Sequence, residues 1–281
     1  MSRKTKAIVA AGLVAALSSG VQATFHLMQI EQVIGGVNGD TAAQAIQLRM
    51  RSAGQNILGA SKLWVRDATG GTPVLLIDFG ASVPNGAAGA RVLIASAAFK
   101  ITTTPNAVPD FTLTNLIPDS YLAAGSMTFE NNAGTQVYWR LSWGGEGYTG
   151  SNAGNCINDD SACPAAGDFG PPWPGPLPSG GVDALQFQGP FNAVSTNNAA
   201  DYALTTDASS WTNNAGQVFA LPPDALCPWD CEPASDGNVG INDFLELLSQ
   251  WGLVGSTCDF DGGGVGINAF LALLANWGSC S

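Results

Sequence analysis

In Gln136-Val137-Tyr138-Trp139-Arg140-Leu141-Ser142-Trp143, the side chains of Val137, Trp139, Leu141 and Trp143 fall on one face of an extended chain. Arg140 and Ser142 fall on the other. A period of two is the mark of a strand with one face against a core, the usual arrangement in antiparallel sheets. The large tryptophans on the inward face read as core residues rather than as ligand platforms. The same period recurs in Gln44–Met50, where Ile46, Leu48 and Met50 oppose Gln47 and Arg49. Leu27–Val33, Leu63–Arg66, Val74–Ile77, Arg91–Ala95, Ser126–Glu130 and Leu185–Phe187 are further strand candidates. Turn-forming Gly35-Gly36, Gly70-Gly71 and Pro84-Asn85-Gly86 separate them. Many short strands with almost no helical period predict a mainly β fold, an antiparallel β-sandwich or related barrel, over residues 24–222.

One connection is long. Gly144 to Gly181 is rich in Gly, Ser, Asn, Asp and Pro. Loops of this length in a compact domain tend to be functional or decorative. Its Tyr148 and Trp173, with Asp159 and Asp160, offer one ligand surface; a covering role over the sheet is the plainer expectation. Trp211 is a further aromatic candidate for polysaccharide binding.

Catalytic signatures are scarce. The single histidine, His26, alternates with Met28 and Ile30 at the start of a strand and reads as a packed side chain. No G-x-S-x-G or phosphate-binding loop occurs. Carboxylates on predicted strands are few, chiefly Glu31, Asp78 and Glu130. A glycoside hydrolase built on two of them is the enzyme class these residues favour, and a non-enzymatic role is the leading expectation.

The chain begins with Arg3, Lys4 and Lys6, an apolar run from Ala7 to Leu17, and Val21-Gln22-Ala23. That order is the pattern of a secretory signal peptide over residues 1–23, too short to span a bilayer. Its removal leaves seven basic against 22 acidic residues, a net charge of −15. Such a surface disfavours nucleic acid, which needs clustered Lys and Arg, and favours a divalent cation. Six cysteines in an exported chain are expected to be paired, and fifteen pairings are possible. Cys156 and Cys163 lie close in sequence, Cys231 and Cys258 each precede an acidic loop, and Cys227 and Cys280 lie at the ends of the tail. This layout favours Cys156–Cys163, Cys231–Cys258 and Cys227–Cys280.

Beyond Leu221-Pro222-Pro223-Asp224, a rigid boundary, the chain repeats itself. Val239–Gly252 recurs 26 residues later as Val265–Gly278, with ten of fourteen positions identical. Each copy follows a stretch of Asp, Gly and Cys. Calcium takes six to eight oxygens, supplied in a loop–helix hand by positions one, three, five, seven and twelve, with glycine at six. Counting back from Asp243 at twelve places Glu232 at one, Ala234 at three, Asp236 at five, Gly237 at six and Asn238 at seven, with Asp230 just outside. The second loop offers Asp259 and Asp261, runs one residue short before Val265 and has Ala269 at position twelve. Phe244, Leu247, Leu248 and Trp251, and likewise Phe270, Leu273, Leu274 and Trp277, lie at helical spacing and predict two helices packed by these stripes. Asn242 and Asn268 sit where helix N-caps are expected.

The tail thus resembles a dockerin of the Gly/Cys-rich type found at the C-termini of secreted bacterial proteins. The resemblance covers residues 223–281, about a fifth of the chain. It implies a calcium-loaded pair of loop–helix units that docks on a cohesin-like or cell-surface partner, often to gather polysaccharide-degrading proteins. The family's recognition positions, ten and eleven of each loop, fall here on Ile241 and Asn242 and on Ile267 and Asn268. Ala234, the short second loop and Ala269 depart from the family pattern. The whole chain is expected to be a secreted, extracellular or surface-associated β-protein carried by this module.

Overall fold

The computed structural model describes residues 25–154, 167–206, 208–222, 229–232 and 238–279. The predicted signal peptide, Asp236, and four of the cysteines, Cys156, Cys163, Cys227 and Cys280, lie outside them. The fold is mainly β. Strands β1 (Met28–Ile34), β2 (Ala45–Met50), β3 (Ser61–Arg66), β4 (Pro73–Asp78), β5 (Arg91–Ala95) and β6 (Phe111–Thr112) precede β7 (Gly125–Asn131) and β8 (Val137–Trp143). Then come β9 (Ala153–Gly154), β10 (Gly167–Asp168), β11 (Leu185–Phe187), β12 (Tyr202–Leu204), β13 (Ser210–Thr212) and β14 (Val218–Ala220). Helices α1 (Ala97–Thr102), α2 (Asp119–Leu122) and α3 (Asn198–Asp201) are short. The tail holds β15 (Asn238–Val239), α4 (Ile241–Ser249), α5 (Ile267–Ala275) and β16 (Gly278–Ser279).

A six-stranded sheet runs in the order β12-β11-β1-β2-β5-β6, and a four-stranded sheet in the order β4-β3-β7-β8. Every pairing in them is antiparallel except β5 with β6. Met28, Ile30, Ile46 and Leu48 from the first sheet join Leu63, Met127, Trp139, Leu141 and Trp143 from the second in one hydrophobic cluster. A polar tie runs through it. Trp139 Nε1 donates to the Tyr202 hydroxyl at 2.9 Å, and that hydroxyl donates to the Ile30 carbonyl. Burial pushes the Tyr202 phenol far above its ordinary pKa, so it stays protonated and keeps donating.

Strands β1, β2, β7 and β8 are buried on both faces, not one. The second face of the six-stranded sheet meets another apolar cluster, in which Leu93, Ala95 and Phe99 pack with Trp211 and Phe219 of the β13–β14 hairpin. Polar residues expected toward solvent are therefore enclosed and hydrogen-bonded. A bulge in β1 between Ile30 and Gln32 carries Glu31, whose buried carboxylate lies 2.9 Å from Arg49 and 2.7 Å from Arg91 and accepts from Gln47. Glu130 is clamped by Arg66 at 2.8 Å in the same manner, on the other sheet.

The described parts of the long connection cover the sheet. Their backbone bonds to β8 through Trp173 N–H to the Ser142 carbonyl and to α2 through Leu177 N–H to the Leu122 carbonyl. Arg140, on the outer face of β8, donates to the Ala153 carbonyl beneath it. Gly144 turns the chain at φ +98°, where a Cβ would stand 2.4 Å from that of Ala124.

Candidate docking face and its acidic loops

The tail is a small structure with its own core: Cys231, Val239, Leu247, Cys258, Val265, Ala269 and Leu273 are buried together. Cys231 and Cys258 form the expected disulfide, with Cα atoms 5.2 Å apart. The bond joins the starts of the two loops, where so small an apolar core needs a covalent link. The segment just before α4 meets the end of the module as β15 pairs with β16.

The helices begin one residue before the expected caps. Gly240 and Gly266 occupy the N-cap positions, and Asn242 and Asn268 lie within the first turn. In the first half the capping work falls to Asp243, whose Oδ2 accepts from Gly240 N–H at 2.7 Å. Its Oδ1 accepts from Cys231 and Glu232 N–H at 2.8 and 3.1 Å. In the second half Ala269 stands in that place. Cys258 N–H turns instead to Gln250 Oε1, 3.1 Å away at the C-terminus of α4.

The acidic residues chosen for calcium come together only in part. Asp243 lies against the backbone of Glu232, while Asn238 opens β15 and Asp230 is half-buried before the disulfide. An ionised carboxylate has about four acceptor positions, and three at Asp243 face amides. A bidentate cation contact would displace at least one of them. In the second loop Asp259 spans its own backbone, accepting from Gly255 N–H at 2.8 Å and Gly264 N–H at 2.9 Å. These amides hold its carboxyl below the usual carboxylate range. Asp261 accepts from Gly263 N–H at 2.9 Å. In the second loop Ala269 leaves the closing position without a carboxylate, and Asp259 and Asp261 are already engaged by amides of their own loop. Among the described residues no three His, Cys, Asp or Glu side chains gather as a metal site.

Each helix splits its apolar residues between two sides. Phe244 and Phe270 meet at 5.8 Å between ring centroids, and Leu247 and Leu273 are fully buried. The expected stripes do not stay inside, however. Leu248, Trp251, Leu274 and Trp277 face solvent, because two nine-residue helices bury only the side they turn to each other. With Ile241 and Leu245, and with Ile267 and Leu271, they form two matching exposed rows. Exposures run 60, 57, 46 and 49 % for Ile241, Leu245, Leu248 and Trp251, against 61, 55, 45 and 49 % for their counterparts. The near-equality marks one surface presented twice. Asn242 and Asn268, beside these rows, are exposed as well. Residues 223–281 carry eight carboxylates and no Lys, Arg or His, so the apolar rows sit in an acidic setting.

No family model, curated protein or solved structure matches the chain.

The other candidates are absorbed by the fold. Trp211 is fully buried against Phe99, and Tyr148 is buried with its hydroxyl on the Ser151 carbonyl. Trp173 is half-buried beside the Trp143 backbone. They do not form an open stacking platform. Glu31 and Glu130 lie on different sheets, each neutralised by arginine, and Asp78 pairs with Lys62 at 3.4 Å on an edge strand. The three do not form a facing acid pair. His26 is half-buried, its ring 6.0 Å from that of Tyr138. No helix among the described residues is long and apolar enough to cross a membrane.

Proposed function

We propose that this is a secreted, non-enzymatic β-sandwich protein held on a cohesin-like or cell-surface protein by its dockerin-like tail. The observation that carries the reading is the pair of matching exposed apolar rows on α4 and α5. Apolar side chains at that density on a monomer's surface mark an interaction site. Large aromatic and aliphatic anchors such as Trp251 and Leu245 supply most of the energy in such contacts. The acidic setting favours a partner whose apolar patch is rimmed by Lys and Arg.

Calcium enters this proposal at the first loop alone, where Glu232, Asp236, Asn238 and Asp243 would hold it, with Asp230 nearby. A hard dication there would offset part of the module's charge. Calorimetry of the full chain should then show one site of extracellular-module affinity, roughly 0.1–1 mM. Two equivalent sites, or none, would remove this part of the reading.

The docking surface is tested with the full chain against immobilised cohesin-like modules and native cell-surface extract. Leu245→Ser combined with Leu271→Ser should abolish capture while leaving thermal unfolding unchanged. Capture that survives the double substitution would place the contact elsewhere and end the proposal.

A further inference from the structure

A groove of about 380 Å³ lies on the six-stranded sheet, between the edge strand β12 and the start of the β13–β14 hairpin. We propose that it binds a neutral oligosaccharide. The register of the sheet sets its floor: Ala203, Gln186, Gln32 and Gln47 stand in one cross-strand row. The hairpin covers the far end of that row, where Gln47 accepts from Thr212 N–H and Gln32 donates to the Ser210 carbonyl. It stops short of Gln186 and Ala203, and that gap is the groove.

The open part is lined by side-chain amides and hydroxyls already placed by one another. Gln186 Nε2 donates to Gln32 Oε1 at 3.0 Å, and Gln188 Nε2 donates to the Gln186 carbonyl at 3.2 Å. Thr205 is fixed by its bond to Asp183 at 3.0 Å, while Thr206 and Ser210 are exposed at the rim. Each glutamine amide retains both donor and acceptor capacity. Adjacent sugar hydroxyls demand that combination, since each must give and receive a hydrogen bond.

None of the described residues that line it is charged, so among them an anionic or cationic ligand would lose hydration without gaining a counter-charge. The floor's backbone groups are committed to the β1–β11 and β11–β12 ladders, which leaves side chains to recognise the ligand. That disfavours a peptide strand laid over the floor, which would need main-chain bonds there. Ala203 keeps the floor low. The volume is at the small end of ligand pockets, about 300–1,000 Å³, and suits two or three sugar units.

The groove belongs to the β-region alone, so this inference stands or falls separately from docking by the tail. The test is calorimetry of the full chain with cellotetraose, xylotetraose, laminaritetraose and mannotetraose, beside anionic tetragalacturonate and an uncharged Ser/Gln hexapeptide. At least one neutral sugar should bind with Kd between about 10 μM and 1 mM, shifting the side-chain NH₂ signals of Gln186 and Gln188 in NMR spectra. Ala203→Phe, which fills the floor with a residue strands favour, and Gln188→Ala, on an exposed side chain, should each weaken binding about tenfold or more, a change of roughly 1.4 kcal/mol. Both should leave the melting temperature unchanged. Binding of no neutral sugar at 10 mM, equal binding of the uronate, preference for the hexapeptide, or binding untouched by both variants would each overturn it.

Discussion

At the residue scale, Asp243 decides how the first half of the tail is held. Its two oxygens gather the amides of Cys231, Glu232 and Gly240 and tie the start of the loop to the first turn of α4. Asp243→Ala should strand those donors and cost about 2–4 kcal/mol; hydrogen exchange at the three amides, with urea unfolding of the full chain, reads the loss. Asp259 does comparable work in the second loop with an exposed carboxylate. Its pKa is depressed in the fold, so its contribution is complete above the unfolded value near pH 4 and fades as pH falls through the lower folded value. An NMR titration of its carboxyl should therefore show a midpoint below about 3.9, and Asp259→Asn should remove that step from the acid stability profile. A midpoint at the ordinary carboxylate value would mean the Gly255 and Gly264 amides do not face it. Gly144 is a different case, since its positive φ and the close Ala124 leave no room for a side chain. Gly144→Ala should cost about 2 kcal/mol or more, seen as a lowered melting temperature.

At the element scale, strand period carried much information. Arg91–Ala95 and Leu185–Phe187 form at the expected bounds, and the other candidate strands form within two residues of theirs. Alternation reports which side chains share a face, and the backbone must satisfy it locally. It does not report what lies above the second face, which is why Gln29, Glu31 and Gln47 prove to be buried. The partners that cover them come from far along the chain: Thr212 sits 165 residues beyond Gln47. Half of each helix stripe, Leu248 with Trp251 and Leu274 with Trp277, turned outward for a related reason. Ile267–Ala275 is apolar on nearly every side, and a helix of that kind does not say which side turns inward. For these short elements the disulfide matters most. It closes a separation of 27 residues, and its removal by Cys231→Ala with Cys258→Ala should cost about 3–4 kcal/mol by loss of chain restriction in the unfolded state. Calorimetric melting should show the tail transition lowered and that of the β-region unmoved; a joint shift would tie the two energetically.

At the scale of the whole molecule, charge governs encounters. A tail with eight carboxylates and no basic residue, on an acidic chain, attracts a basic-rimmed partner over about a Debye length. Association with such a partner should slow by roughly tenfold between 50 and 500 mM salt, while dissociation, set by the apolar rows, changes little. Surface plasmon resonance across that range checks both rates, and a salt-independent on-rate would exclude electrostatic guidance. The amino-acid sequence by itself determined the β character, the positions of β1–β5, β7, β8 and β11, the duplicated loop–helix tail and its acidity, because period, turn residues and repetition act over a few neighbours. Which polar residues are enclosed, which side of α4 and α5 remains open, where Asp243 spends its lone pairs and where the hairpin leaves the glutamine groove uncovered were decided by tertiary structure. Each depends on a surface arriving from a distant part of the chain, and burial is a property of that meeting rather than of either segment alone.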